Sequence, residues 1–585
     1  MAVGLIGWGR FFDPHSGKVT VPAPPDGDGK PWLWDFLRAE APGLSPFFDC
    51  VQLPPASLTQ SGTAATGDGY GITWRRMLDG TRYGYTESLM AAVAGLRAHG
   101  MRVYGDVVLH QFATWTRHYP NGAKGGQTEG WFRGHQSPKI VDGKFAGWND
   151  PIPPFCPEDD VPVPSDDFAF GAEVSYQHCN PSGVTEADAK DYLHWFSNRV
   201  AIYDFRYDDT KGQYARAVAR IMNSLPNCSF YSEYFDGDPG NLNWWATSAP
   251  MNGRSAVEDF TLHWRLQAAC NGFDARQFDQ NGAGYWQQRP DLSVLFVDNP
   301  DTDTSPGQQI IFNKGIAYAL MLNLPCRLAL VYGKDYFPSS VWPGAYGLKP
   351  IIDNIAWFTR TFAFGNWERR WVDQDVYAYT RDGNGGSVGW SGGCLVAANF
   401  NTLNSRTITV QTTWAPGTWI HDYSGHCADA TVGGNGYVTI TLPSNAFSRG
   451  VSFGLFAPGG VNHPVANPPL STTQIYKGAQ GEDIPALHEG AYVLPQRIYC
   501  ASGTTVEAAL TIDPAEMTSG SSIDISLHEP SGAEVASGSI GSGSHTTTIS
   551  GETREDGWHS FTLTGRGVAA DGVKFSLSVK YRGLA

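Results

Sequence analysis

Charge is scarce in this sequence, and positive charge is the scarcer kind. Charged residues make up 17% of the 585 residues, and 41 Lys and Arg against 57 Asp and Glu leave a formal net charge of −16. A chain with this balance repels phosphate backbones and anionic lipid surfaces, so we expect neither nucleic acid nor a membrane as its main partner. The acidic excess also has a plain explanation, because net charge keeps a large protein soluble.

Long apolar runs are missing as well. No stretch of 18 or more apolar residues occurs, so no membrane-spanning helix is expected. The first residues, MAVGLIGWGRFF, lack the basic start and the apolar length of a signal peptide, and they suit a buried first strand. We expect a secreted or extracytoplasmic monomer whose signal is absent from this chain.

Cysteine is rare and lacks the spacing of a metal site. The nine cysteines contain no CxxC pair, and their odd number leaves at least one thiol unpaired in any set of disulfides. Cys156 with Cys179, and Cys394 with Cys427, are candidate local disulfides. The redox compartment therefore stays open.

Aromatic residues, by contrast, are abundant. Twenty Trp, 25 Tyr and 30 Phe, with 41% apolar residues overall, indicate a globular chain rather than a disordered one. Many aromatic rings with few charges also suit a neutral, polyhydroxylated ligand, because sugar rings present C–H faces to Trp and Tyr. At this length the chain exceeds one hydrophobic core, and several domains are expected.

Short β-rich runs alternate with helical patterns over the first 365 residues, which predicts a parallel sheet flanked by helices. Eight candidate strands favour an α/β fold, a closed (β/α)₈ or TIM barrel formed by residues 1–110 and 173–365. Residues 111–172, rich in Gly, Pro, Trp and Asp, predict an irregular subdomain inserted after the third strand. Two later β regions follow: an antiparallel domain at 366–456 and, beyond a Pro/Gly-rich linker at 457–472, a β-sandwich at 473–585.

Polar side chains stand at the carboxyl ends of four predicted barrel strands, where the active sites of such barrels lie. Asp106 ends the third strand, Arg206 and Asp208 the fourth, Glu233 the fifth, and Asp301 follows the seventh. Three carboxylates meeting at one mouth suit cleavage of a glycosidic bond, which needs an acid to protonate the leaving oxygen and a carboxylate facing the oxocarbenium-like carbon. Metal binding and helix capping are the alternatives.

Four stretches around these residues resemble motifs of the α-amylase family of retaining glycoside hydrolases (glycoside hydrolase family 13). DVVLHQ at Asp106 is similar to D-V-V-x-N-H, FRYDDTKG to F-R-x-D-x-x-K-H, SEYFDGDP to the stretch around the acid, and FVDNPDTD to F-V-x-N-H-D-T. DGYGITW is similar to the loop that supplies a stacking tyrosine. The likeness covers the barrel and the β domain after it, about 450 residues.

The resemblance implies a role for each of these residues. Asp208 becomes the nucleophile, Glu233 the general acid and then base, and Asp301 the group that holds sugar hydroxyls and stabilises the transition state. Arg206 is expected to keep Asp208 ionised, while a drier and more acidic neighbourhood raises the pKa of Glu233. Tyr70 would stack under the sugar.

Further contacts to the substrate are predicted for Gln111, Lys211 and His110. For Lys211 an ordinary surface lysine is an equal alternative, and Asp209 is better explained as a solvated or helix-capping acid. The C-terminal sandwich is either a carbohydrate-binding module, with Trp558 and Tyr581 as candidates, or a stabilising domain.

The motifs depart from the family at four positions. Gln111 and Pro300 stand where the family has the histidines that bond the sugar being cleaved, so we hypothesise a remodelled cleavage subsite. His110 replaces an asparagine calcium ligand, and imidazole is a poor partner for Ca²⁺. No cofactor is required, and calcium is doubtful at this position, although acidic loops at 158–160 and 165–167 offer another place. Gly212 replaces a motif histidine whose backbone carbonyl still remains.

The sequence therefore predicts an α-glucan hydrolase of the α-amylase type, cleaving α-1,4 bonds of starch-like polysaccharides or maltooligosaccharides through a covalent glycosyl-enzyme. A transglycosylase using the same residues is the nearest alternative, because acceptor choice depends on water exclusion rather than on the motifs. A catalytically impaired glucan-binding protein is the third reading, and the presence of all three carboxylates argues against it.

Overall fold

The structure is a computed structural model, and it describes most of the chain with several gaps. The described residues are 2–9, 32–59, 69–78, 81–112, 138–141, 144–148, 172–173, 184–213, 215–279, 283–338, 344–383, 392–445, 450–461, 472–478, 486–494, 498–500, 502–555 and 557–581. Most of the predicted insert lies outside them, as do Cys156, Cys179 and both acidic loops. Within the described part, no helix is long and apolar enough to cross a bilayer.

Eight parallel strands close into a barrel, as predicted. They pair in chain order, and the eighth returns to the first through the register Ala2↔Leu328 to Ile6↔Tyr332. The barrel strands are β1 (Ala2–Ile6), β2 (Cys50–Leu53), β3 (Arg102–Val107), β4 (Asp204–Tyr207), β5 (Ser229–Ser232), β6 (Ala256–Glu258), β7 (Ser293–Phe296) and β8 (Leu328–Tyr332).

These strands are almost wholly buried, which explains why their sequences read as near-continuous apolar runs. The helices that cover them are α1 (Leu33–Leu44), α2 (Thr86–Ala98), α3 (Val184–Val200), α4 (Ala215–Asn223), α5 (Pro239–Thr247), α6 (Phe260–Gly272), α7 (Pro300–Thr304), α8 (Lys314–Leu322), α9 (Gly333–Tyr336) and α10 (Lys349–Phe362). Tyr85 is the N-cap residue of α2, without a side-chain capping bond, and Gly100 at φ 80° follows its end in the left-handed conformation that stops helices.

Short strand pairs lie outside the barrel. Leu58–Thr59 pairs with Ile72–Trp74, Gln111–Phe112 with Ala172–Glu173, and Pro138–Val141 with Lys144–Trp148. The second of these pairs brings residues 172–173 back beside residues 111–112, close to the carboxyl end of β3.

The region after the barrel is antiparallel. Its six-stranded sheet contains Trp367–Val372, Val376–Arg381, Cys394–Asn399, Trp419–Asp422, Ala430–Thr431 and Phe453–Pro458, and a second sheet pairs Arg406–Gln411 with Tyr437–Leu442. Cys394 is buried in its strand and Cys427 is half-buried, and both are free thiols. The predicted Cys394–Cys427 disulfide is therefore wrong.

The C-terminal region forms two further antiparallel sheets. One contains Thr472–Gly478, Thr505–Ile512, Thr546–Glu552 and Phe575–Tyr581; the other contains Gly490–Val493, Ile498–Cys500, Ser522–His528, Glu534–Gly541 and Gly557–Arg566. Burial alternates along Thr505–Ile512, as in a strand with one face on a core. Tyr581 is 1% exposed and packs in that core, so it offers no ring to a sugar. The side chain of Trp558 lies outside the described residues.

A buried lysine fixes the segment that follows β7. Lys314, on α8, lies 2.6 Å from Asp298 and 2.8 Å from Asp335, and all three side chains are buried. Asp298 also accepts a hydrogen bond from Thr302 on α7 at 3.0 Å. Since α7 carries Asp301, this ion pair determines where that carboxylate stands.

Replacing Lys314 with methionine removes the cation and leaves two buried carboxylates uncompensated. We expect Lys314→Met to lower the free energy of unfolding by about 3–5 kcal/mol, measured by denaturant titration followed by tryptophan fluorescence. Lys580→Met is the control, because its partner Glu507 lies 3.6 Å away and both side chains are more than half exposed; a change of at most about 1 kcal/mol is expected there. Equal losses in the two variants would contradict this role of Lys314.

Candidate active site

One arginine side chain lies at the centre of the carboxyl end of the barrel. Arg206, on β4, is 3% exposed, and its guanidinium contacts four carboxylates. The contacts are Nη1 to Asp208 at 2.7 Å and to Asp106 at 2.9 Å, Nη2 to Glu233 at 2.8 Å, and Nε to Glu258 at 3.2 Å. The two residues predicted as nucleophile and acid therefore face the same planar group.

The strand register explains this meeting. Arg206 pairs with Asp106 of β3 on one side and with Tyr231 of β5 on the other. The backbone N–H groups of Asp208 and Glu233 donate to Val107 at 3.1 Å and to Tyr207 at 3.0 Å. Both residues thus continue the parallel ladder by one step, which holds their backbones rigidly at the barrel mouth.

Tyr70 lies beside this cluster. Its hydroxyl donates to Oδ2 of Asp106 at 2.7 Å, and its ring centroid is 5.5 Å from that of Trp8. Burial, with the charges of Asp106, Asp208 and Asp301 opposed by Arg206, raises the pKa of Tyr70. The hydroxyl is therefore a donor at neutral pH, and the ring is half-buried at the site.

Burial dominates the electrostatics of Asp208. It raises the pKa of Asp208 well above its usual 3.8, and Arg206 opposes this while Glu233, Asp106 and Asp209 add to it. Arg206 lowers the pKa of Asp208, in the predicted direction, but burial and the neighbouring carboxylates outweigh it. One guanidinium shared by four carboxylates compensates each of them only in part.

The backbone after Asp208 holds Glu233 from a second side. The N–H of Asp209 donates to Oε2 of Glu233 at 3.1 Å, and the hydroxyl and N–H of Thr210 donate to the backbone carbonyl of Glu233 at 2.6 and 2.8 Å. Asp209 adopts a left-handed conformation with φ 38° and accepts from the N–H of Gly212 at 3.3 Å. It caps a short 3₁₀ turn, in line with the predicted capping role.

Asp301 lies in the first turn of α7. Asn299 caps this helix by accepting from the N–H groups of Asp301 at 3.0 Å and Thr302 at 2.9 Å. Pro300 occupies the first helical position, where its fixed φ suits the helix and its missing N–H is no loss. The position where the family has a histidine therefore has a local structural reason to be proline here.

His110 contacts protein and not the open site. Its Nδ1 lies 2.7 Å from Oδ2 of Asp209, and its side chain is 2% exposed. Burial raises the pKa of Asp209. The hydrogen bond and charge of His110, together with the N–H of Gly212 and the charge of Arg206, lower it by more, so the net pKa is below its usual value. The prediction that His110 binds substrate is not supported by this placement, since the imidazole is occupied by Asp209.

Gly212 leaves room for that imidazole. A Cβ at position 212 would lie 2.6 Å from Cε1 of His110, closer than any real contact. The family pattern has Asn at the first of these positions and His at the second, whereas this chain has His and Gly. The imidazole here therefore occupies the space that a side chain at position 212 would fill.

Lys211 and Gln111 were also predicted to contact the substrate, and the structure places both outside the group of carboxylates around Arg206. Nζ of Lys211 donates to the carbonyl of Phe235 at 3.0 Å and lies 2.9 Å from Asp236, and the side chain is one-quarter exposed. Gln111 is 3% exposed, and its Oε1 has no hydrogen-bond partner among the described residues. Lys211 is thus tied to the loop after β5, near but not within the carboxylate cluster.

Glu258 is the carboxylate that the sequence analysis missed. It ends β6, the one strand between β3 and β7 whose end was not considered, and it is 4% exposed. The rule that identified the other carboxylates, a polar residue at the carboxyl end of a barrel strand, applies to it equally.

Curated relatives support the chemistry that this geometry suggests. The chain is 25% identical over 419 residues to an alpha-amylase of Geobacillus stearothermophilus, covering 60% of this chain and 72% of the relative. It is 23% identical over 474 residues to an alpha-amylase of Bacillus licheniformis, covering 68% of this chain and 86% of the relative. A family profile described as Alpha-amylase C-terminal matches residues 396–452, within the antiparallel region.

Solved structures support the fold. An alpha-amylase of Anoxybacillus superposes with a TM-score of 0.54 at 14% identity, covering 79% of this chain and 98% of that one. A cyclomaltodextrin glucanotransferase with a three-domain ABC distribution superposes with a TM-score of 0.53 at 16% identity, covering 79% of this chain and 99% of that one. At these identities the likeness establishes a barrel followed by an antiparallel β domain.

The close approach of His110 to Gly212 yields a test. Gly212→Ala places a methyl group against the imidazole, so we expect a loss of about 1–3 kcal/mol in stability and reduced hydrolytic activity on a soluble glucan. Gly272→Ala is the control: a Cβ at the end of α6 meets nothing within 4 Å, and the change there is expected to be neutral or slightly stabilising. An unchanged Gly212→Ala enzyme would show that His110 does not need this space.

Proposed function

We propose that the chain, which is similar to alpha-amylases in sequence and fold, is a retaining glycoside hydrolase of the α-amylase family that cleaves α-1,4-glucosidic bonds in starch-like polysaccharides or maltooligosaccharides. The observation that carries the proposal is the sharing of Arg206 between Asp208 and Glu233, at 2.7 and 2.8 Å. Two carboxyl groups held on one guanidinium are close enough together for the double displacement that retention requires.

In this mechanism Asp208 attacks the anomeric carbon while Glu233 donates its proton to the leaving oxygen. Water then enters, Glu233 removes its proton, and the glycosyl–Asp208 ester is cleaved. Asp301 holds the secondary hydroxyls of the sugar, and the ring of Tyr70 stacks under it. Arg206 fixes both reacting carboxyl groups and balances the charge of whichever of them is ionised.

Calcium is not part of the proposed reaction. At the position of the family's calcium-binding asparagine, the imidazole of His110 lies 2.7 Å from Asp209, and Gly212 adds no side chain. Imidazole nitrogen is a poor ligand for a hard oxygen-seeking cation. Among the described residues no group of three or more His, Cys, Asp or Glu could hold a metal ion. These residues do not fit the family's calcium at this place, and we propose that the His110–Asp209 pair stands instead of it.

Removal of the acid tests the assignment of Glu233. Glu233→Gln keeps the shape of the side chain but has no proton to donate, so we expect hydrolysis of maltoheptaose to fall by at least about 1,000-fold. The control is Glu186→Gln, another buried glutamate on an arginine Nε, at 2.9 Å from Arg220 on the outside of the barrel. Its activity should stay within about twofold of wild type. Wild-type turnover in Glu233→Gln would overturn the proposal.

Product analysis distinguishes hydrolysis from transfer. Incubation with starch, pullulan and maltooligosaccharides, followed by chromatography and a reducing-end assay, should show reducing ends that increase with time. Redistributed chain lengths at a constant number of reducing ends would instead identify a glucanotransferase built on the same residues.

The raised pKa of Asp208 predicts an early loss of activity in acid. The nucleophile must be ionised, and a carboxyl whose pKa lies above 3.8 becomes protonated at correspondingly higher pH as the solution is acidified. We expect the acid limb of kcat/KM against pH to have an apparent pKa above 3.8, a value that belongs to the coupled cluster. A limb at or below that value would contradict the role of burial.

A further inference from the structure

A fourth carboxylate meets Arg206, and the mechanism above does not use it. Glu258 is 4% exposed at the end of β6, and its Oε1 accepts from Nε of Arg206 at 3.2 Å. Its other oxygen, Oε2, is buried with no hydrogen-bond partner among the described residues. An ionised oxygen left in that position costs free energy, so a carboxyl kept there needs an explanation.

We propose that Glu258 is a positioning residue of the glycosidase site: it fixes the rotation of Arg206 through Nε, and its charge keeps a proton within the Asp208–Glu233 pair. The proposal rests on the function proposed above. Glu258 does not contact the sugar in this scheme; it acts through its bond to Arg206 and through its charge.

The planar, forked geometry of the guanidinium supports the first part of the proposal, that Glu258 fixes the rotation of Arg206. The group is planar with donors fixed in direction, so its orientation is determined only when donors on both edges are occupied. Nη1 and Nη2 are held by the two residues proposed to react, which change charge during the cycle. Nε is held by Glu258, which does not react. Glu258 therefore provides on Nε, as Asp106 does on Nη1, a contact that stays constant while the charges of Asp208 and Glu233 change.

The balance of charge supports the second part of the proposal, that Glu258 keeps a proton within the Asp208–Glu233 pair. The groups facing Glu258 are Arg206 of β4, Asp106 of β3, and Glu233 and Tyr231 of β5. On the other side β6 pairs with Val294 of β7, which carries no charge. One cation among four carboxylates leaves an excess of negative charge, and such an excess resists the loss of each remaining proton.

The titration of Glu258 agrees with this arrangement. Burial raises its pKa, Arg206 lowers it, and Glu233 and Asp106 raise it again, so that the net pKa of Glu258 is about 7. Above that pH Glu258 is ionised, and its charge then opposes ionisation of the neighbouring carboxyl groups. The proton needed for leaving-group departure is retained to higher pH than three carboxylates alone would allow.

Glu258→Gln tests both parts of the proposal. The amide oxygen still accepts from Nε, but the side chain can no longer be charged. We expect the alkaline limb of the pH–rate profile for maltoheptaose hydrolysis to move down by about one pH unit, the size expected for loss of one nearby charge at protein-like dielectric. KM should change less than twofold, because no sugar contact is lost.

A second variant separates positioning from charge. Glu258→Met removes the acceptor as well, so it should show the same shift of the alkaline limb and, in addition, a fall of about tenfold or more in kcat at pH 6. Glu258→Met also tests the proposal if the glutamine variant folds poorly. Glu186→Gln is the matched control and should leave the profile in place.

Stability gives an independent readout. A carboxyl whose folded pKa is raised binds more protons in the folded than in the unfolded chain, so it destabilises the fold increasingly as pH rises from about 4 to about 7. The Tm of Glu258→Gln minus the Tm of wild type should therefore increase as the pH is raised from 5 to 8.

The outcomes separate this proposal from the proposed function. An inactive Glu233→Gln enzyme together with an unmoved alkaline limb in both Glu258 variants would overturn the role of Glu258 and leave the reaction standing. An active Glu233→Gln enzyme would overturn the reaction itself. A change in Tm without any shift of the limb would mean that Glu258 is structural only.

Discussion

A single buried cation organises the active end of this barrel. Arg206 contacts Asp106, Asp208, Glu233 and Glu258, and every one of these side chains is at most 10% exposed. Burying such charges separately would cost several kcal/mol each. Together they are tolerated because the guanidinium presents donors along both edges of one plane, so that four oxygens can be accommodated around it. Burial, to which the remaining excess of acid adds, raises the pKa values of Asp106, Asp208 and Glu258.

The barrel makes this cluster possible through two simple periodicities. Arg206 and Asp208 are two residues apart along one extended segment, so their side chains point to the same side. Asp106 stands opposite Arg206 in the β3–β4 register, and the ladder continues by one step to Glu233. The four acids come from strands that are neighbours in a ring, although they span more than 150 positions in the chain. Closure of the sheet brings them together.

Much of this was predictable from the sequence. The eight strands, their order and the convergence of Asp208, Glu233 and Arg206 follow from apolar runs ending in polar residues. Three features did not follow. The raised pKa of Asp208 depends on burial and on how many acids share Arg206, which no local pattern records. The pairing of His110 with Asp209 depends on the space left by Gly212, more than 100 residues away. The role of Glu258 was accessible to the same rule as the others, but β6 is only three residues long and carries no motif.

The linkage between His110, Asp209 and Glu233 shows how local strain is used at this site. Asp209 holds a left-handed backbone with φ 38°, a conformation that costs an ordinary residue about 1–2 kcal/mol and that aspartate tolerates better than most. That conformation turns its N–H toward Oε2 of Glu233 at 3.1 Å and its carboxylate toward His110 at 2.7 Å. The contact with His110 offsets the strain, and the N–H is thereby fixed on the proposed acid. Position 110 lies after β3, 209 after β4 and 233 after β5, so one imidazole and one strained aspartate join three successive loops. A bound cation could join such loops by attracting oxygen ligands. Here His110 and Asp209 join these loops, and their contact requires that the residue facing the imidazole have no side chain.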